Sequence, residues 1–124
     1  MENFTVEIKS TSRELSKRER VKIKDTSNAI KLDEATSEGD FVLKPDAFAI
    51  LSIHNSKSDS NPDYENIVIL DAEGNKFVTG SPSFTKAFLE IWEEMEGEED
   101  WEIVCYKRDS KNYKGKQFLS CSVL

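Results

Sequence analysis

Histidine is almost missing from this chain. His54 is the only one, so no histidine-based metal cluster can form. It stands at the end of an apolar run, beside Asn55, and reads as a strand-end polar residue rather than a general base. Glycine is sparse at 5 residues, and no Gly-rich phosphate loop occurs. Neither G-x-S-x-G nor Cys-x-x-Cys is present, and none of the many acids stands in an apolar setting that would tune its pKa. Catalysis, a metal and a cofactor are therefore not expected. Cysteine is limited to Cys105 and Cys121, too few for a disulfide framework. Each sits inside an apolar alternating strand, as a buried thiol in a reducing compartment would. No stretch approaches the ~18 apolar residues that a membrane span needs. The opening MENFTVEIKS has neither a basic n-region nor an apolar h-region. The expectation is a cytoplasmic protein with no membrane partner. Internal repeats and low-complexity tails are absent. The 124 residues fit one domain, 1–124, with 1–45 as its less clearly patterned N-terminal part.

Charge, by contrast, is abundant. The net charge of −7 argues against simple polyanion binding, but the charges are segregated along the chain. Arg13, Lys17, Arg18, Arg20, Lys22 and Lys24 form one basic cluster, and Lys107, Arg108, Lys111, Lys114 and Lys116 form another. Acids crowd into 90–102, from Glu90 through Glu93, Glu94, Glu96, Glu98, Glu99 and Asp100 to Glu102. A protein of this kind can present a positive groove while remaining an anion overall.

Hydrophobic periodicity sets the order of elements. FTVEIKS alternates Phe4, Val6 and Ile8 against Thr5, Glu7 and Lys9 and reads as a strand. In 11–35 two signals compete. Ser16 with Glu19 matches a capping box, whereas Val21 and Ile23 alternate with Lys22 and Lys24 as a strand would. A short helical turn followed by a strand accommodates both. FVLKPD is a short extended piece interrupted by Pro45. AFAILSIHN and NIVIL are buried strands, separated by the polar, turn-rich NSKSDSNPDYEN. DAEGNK is a turn in which Gly74 or Asn75 supplies a positive φ, and KFVTG follows as a strand. In SPSFTKAFLEIWEEMEGEED the stripe Phe84, Phe88, Ile91, Trp92 and Met95 predicts a helix at about 82–96, capped by Ser81 or Ser83 and stopped at Gly97. Glu93, Glu94 and Glu96 lie in its last turn, against the helix dipole. The class is mainly β (α+β). Five or so strands with one helix before the last pair is the order of an OB-like five-stranded Greek-key barrel, an order that other α+β meanders share.

The last segment, WEIVCYKRDSKNYKGKQFLSCSVL, reads as a hairpin. Trp101, Ile103 and Cys105 share one face with Leu119, Cys121 and Val123. Val104, Tyr106 and Arg108 share the other with Phe118, Ser120 and Ser122. If the turn centres near Tyr113, the two cysteines lie opposite one another. Cations interleaved with rings form the chemistry that holds single-stranded nucleic acid. Candidate stacking residues are Tyr64, Phe77, Tyr106, Tyr113 and Phe118, each with core packing as the competing role. Candidate cationic contacts are Lys76, Lys107, Arg108, Lys111, Lys114 and Lys116. Phe88, Trp92 and Trp101 are in phase with apolar neighbours and read as core.

DYENIVILDAEGNKFVTGSPSFTKAFLEIWEEM followed by the terminal hairpin resembles the small single-stranded DNA-binding proteins of protein-primed tailed phages and related mobile elements of Firmicutes. The matching pieces are Asp71 to Phe77, Ser81 to Met95, and Lys114-Gly115-Lys116 to Leu124, within 46–124. The resemblance implies an OB-like domain in the bacterial host cytoplasm. It would coat displaced single-stranded DNA during phage or mobile-element replication, alongside replication proteins, without catalysis or metal. It also implies stacking and lysine contacts at Tyr64, Phe77, Tyr106 and Lys116. The competing expectation is an accessory factor that binds a protein through the acidic helix 82–99.

Overall fold

The computed structural model describes residues 4–25, 27–55, 63–109 and 117–124. The elements in chain order are β1 (Phe4–Thr11), α1 (Lys17–Lys24), β2 (Ile30–Lys31), α2 (Leu32–Ala35), β3 (Phe41–Leu43), β4 (Pro45–Asn55), β5 (Asp63–Asp71), β6 (Lys76–Thr79), α3 (Pro82–Glu94), β7 (Ile103–Asp109) and β8 (Gln117–Val123). They form a mainly β, α+β architecture of two sheets. The larger runs β1-β4-β5-β6-β2, and the smaller runs β3-β7-β8. The pairings are antiparallel except β2 with β6. Where the strand order suggested a five-stranded barrel, the described residues make eight strands, and no pairing joins the two open sheets. Among the described residues no helix is long and apolar enough to cross a membrane.

β4, between β1 and β5, is buried on both faces because it is apolar on both sides. Its alternate residues Phe48 and Ile50 enter one core, while Ala49, Leu51 and Ile53 enter another. β5 divides in the same way, with Ile67 and Ile69 against Val68 and Leu70. The first core lies between the large sheet, α3 and the small sheet. Phe84 and Phe88 meet Leu43, Ile103, Cys105, Leu119 and Cys121 there. Each large apolar side chain so buried contributes about 1.5–3 kcal/mol. The second core, on the opposite face of the large sheet, is closed by Leu15 and by Ile23 of α1.

The competition within 11–35 is decided in favour of helix. Ser16 Oγ accepts from Glu19 N–H at 3.1 Å, and Glu19 Oε1 accepts from Ser16 N–H at 3.0 Å, which completes the capping box. Ile23 then buries completely, while Val21, which a strand would place on the same face, stays 69% exposed. The Arg13 guanidinium binds the Glu19 carboxylate at 2.8 Å. That hydrogen bond, aided by the Ser16 backbone, pulls the Glu19 carboxyl down to about 2.

α3 begins as its sequence predicts. Ser81 Oγ accepts from Phe84 N–H, and Pro82 occupies the first turn. It ends at Glu94, slightly short of the expected limit, and Gly97 follows at φ +88°. Its aromatic stripe is a packed ladder. Phe84 stacks on Phe88 at 6.0 Å between centroids, and Phe48 meets Phe88 and Trp92 edge-on at 5.5 and 5.1 Å. The ladder continues from Trp92 to Trp101 at 5.8 Å. In the terminal pair, Cys105 lies opposite Cys121, the register that a turn centred near Tyr113 requires. Both thiols are free and buried, and burial pushes each up to about 12.

Candidate nucleic-acid interface

The small sheet has two faces because its strands alternate. Leu43, Ile103, Cys105, Leu119 and Cys121 point into the first core. The intervening residues Val42, Val104, Tyr106, Arg108, Phe118, Ser120 and Ser122 point away from it. No layer covers this outer face among the described residues. Val42 is 47% exposed, Phe118 39%, and Arg108 is exposed.

Three of its side chains form a unit. Arg108 is directly opposite Phe118 in the β7–β8 register. Its guanidinium carbon lies 4.3 Å from the centre of the Tyr106 ring, a cation–π contact. The Tyr106 hydroxyl is 2.6 Å from Ser122 Oγ, diagonally across the strand pair. The half-buried Tyr106 ring is thus tied at its hydroxyl end, with a cation over its face and a second ring beside that cation. A planar guanidinium and two rings on one pleated surface provide stacking planes and a positive charge within reach of one nucleotide segment.

The other expected contacts are distributed differently. Phe77 is a core residue and not a surface ring. It is 4% exposed and packs on Phe41 of β3 at 5.6 Å, because its place on β6 faces the first core. Lys76 has a structural role. Its ammonium donates to the carbonyl oxygens of Lys22 and Asp25 at 2.7 and 2.6 Å, satisfying acceptors at the C-terminal end of α1. Tyr64 is half-buried against the second core, on the far side of the large sheet from the small one. Lys107 is in register with Leu119 and lies in phase with the inward set, not with Arg108. Lys111, Tyr113, Lys114 and Lys116 lie outside the described residues.

The first basic cluster does not join this face. Lys17, Arg18, Arg20, Lys22 and Lys24 are exposed on α1, which covers the second core, so the large sheet separates them from β7 and β8. Arg13 is engaged by Glu19 and, at 3.8 Å, by Asp46. Among the described residues, then, the 13–24 cluster adds no cation to the outer face of the small sheet. His54, at the strand end, has its Nδ1 2.6 Å from Asp63 Oδ1 on the neighbouring strand. Among the described residues no group of three or more His, Cys, Asp or Glu side chains is placed to hold a metal ion.

Sequence reasoning missed Val42. Its place beside Val104 depends on β3 pairing with β7 across half the chain, and no local pattern encodes that. Ser120 and Ser122 were legible only as the polar phase of β8; the tie from Ser122 to Tyr106 needed the register. No protein-family model, curated protein or solved structure matches this chain.

Proposed function

We propose that the protein binds single-stranded nucleic acid without sequence preference on the outer face of the β3-β7-β8 sheet. Bases stack on Phe118 and on the Tyr106–Arg108 pair, and Arg108 meets the backbone. The observation that carries this reading is the placement of Tyr106, Arg108 and Phe118 together on an open sheet face. The resemblance to phage single-stranded DNA-binding proteins favours DNA as the ligand and coating of displaced strands as the role. An OB-like barrel belongs to that same family reading. The binding chemistry does not depend on it, since an open pleated face with rings and a cation suffices.

Fluorescence anisotropy of labelled oligo-dT tests the proposal. Binding is expected at about 50 mM salt and should weaken steeply towards about 200 mM, because releasing counterions into a saltier solution gains less entropy. Tyr106→Ala and Phe118→Ala should each weaken it by ~1–3 kcal/mol, the worth of a stacked base. That corresponds to about 5- to 150-fold in Kd. An absence of binding at the lower salt rejects the proposal.

A further inference from the structure

Two surfaces on opposite sides of the large sheet each lack what the other has. The first is a groove of about 400 Å³ between α3 and β8. Ala87, Ile91, Met95 and Val123 supply its apolar part, and Glu90 and Glu94 its charge. The two glutamates are neighbours four residues apart on one helix, and neither has a cationic partner among the described residues. Like charges at that spacing repel, and Glu94 adds a negative charge where the helix dipole is already negative.

The second surface is the exposed side of α1. Val21 is the most exposed of its large apolar residues, at 69%. It is flanked one turn away by Lys17, Arg18 and Lys24, all exposed and without an acidic partner among the described residues. Lys17 and Arg18 stand in the first turn, again the wrong sign for the helix dipole. Within one molecule the sheet keeps the two surfaces apart.

We infer that the groove between α3 and β8 receives α1 of a second copy of this chain. Val21 enters the apolar groove, and Lys17, Arg18 and Lys24 meet Glu90 and Glu94. Docking relieves the repulsion at both helix ends at once. Because the two patches differ and lie on opposite sides of the fold, the contact is head-to-tail, and copies add in a row or close into a ring. The area is small and the rim is charged, so the association is weak and falls with salt. The inference is independent of the nucleic-acid reading, and its assay contains no nucleic acid.

Sedimentation velocity of the full chain tests it. At protein concentrations on the order of 100 µM, suited to a weak contact, species larger than the 14.2 kDa monomer are expected at low salt. They should disappear at about 500 mM salt, where the Debye length is about 4 Å. Glu90→Lys/Glu94→Lys and Lys17→Glu/Arg18→Glu change exposed positions, and each variant alone should be monomeric with unchanged circular dichroism. Mixing the two should restore association, because the intact α1 of one variant finds the intact groove of the other. Val21→Ser should weaken the wild-type association without altering its salt dependence. A protein that is monomeric at low salt overturns the inference. So do variants that associate like the wild type, or a mixture that stays monomeric.

Discussion

Phe77 and Phe118 are the same residue type with opposite fates, and the difference lies in what stands across the sheet from each. Phe77 faces the first core against Phe41 and is covered; Phe118 faces away from the core beside Arg108 and is not. Phe77→Ala should therefore lower the stability by about 3–5 kcal/mol in urea denaturation, the usual result of emptying an aromatic core site. The fraction that remains folded should bind oligo-dT normally, which separates a core role from a contact role. The cysteines make a second residue-scale case. Burial holds both thiols neutral, with folded values of about 12 against an ordinary 9.0. A raised value means that the contribution is complete below pH 9 and is lost as pH climbs from there towards 12. The urea midpoint of the wild type should fall over that range more than that of a Cys105→Ala/Cys121→Ala variant. Native protein at pH 8 should resist iodoacetamide until it is unfolded.

At the scale of elements, α1 shows how a cap overrides a strand-like pattern. Val21 and Ile23 alternate with lysines, yet the reciprocal bonds of Ser16 and Glu19 satisfy two orphan donors at the helix start, and a single buried Ile23 anchors the helix. Ser16→Ala should lower stability by about 0.5–2 kcal/mol. Glu19 adds a pH dependence of known sign. Its carboxyl is depressed from 4.5 to about 2 in the folded state, so its contribution is complete above pH 4.5 and is lost as pH falls towards 2. Glu19→Gln should flatten that part of a stability–pH curve measured by denaturation. The turn after β5 was legible as a positive-φ position shared between Gly74 and Asn75. The structure assigns φ +89° to Gly74 and leaves Asn75 to donate to the Asp71 carboxylate from both its backbone and its side chain.

For the whole molecule, the decisive fact is that the large sheet separates the basic helix α1 from Arg108 and the open face of the small sheet. Among the described cations Arg108 adjoins Tyr106 and Phe118, whereas those of α1 do not, so Arg108 and not the α1 cations should enter the salt dependence of binding. Arg108→Ala should reduce the slope of log K against log salt by about 0.7, the share of one phosphate contact on a single strand. Lys17→Ala/Arg18→Ala should leave that slope unchanged when measured well below the concentrations at which copies associate. The local features were written in the chain. The alternation of the terminal hairpin, the opposition of Cys105 and Cys121, the Ser81-capped aromatic helix and the doubly apolar β4 all follow from residue spacing. Spacing of two or of three and four defines a face within one element, and a face needs no distant information. The tertiary structure alone decided which faces meet. It paired β3 with β7 and β2 with β6, buried Phe77, spent Lys76 on the end of α1 and set the basic helix apart from the open sheet. Those outcomes depend on contacts between segments far apart in sequence, where packing selects one arrangement from many that the same local patterns allow.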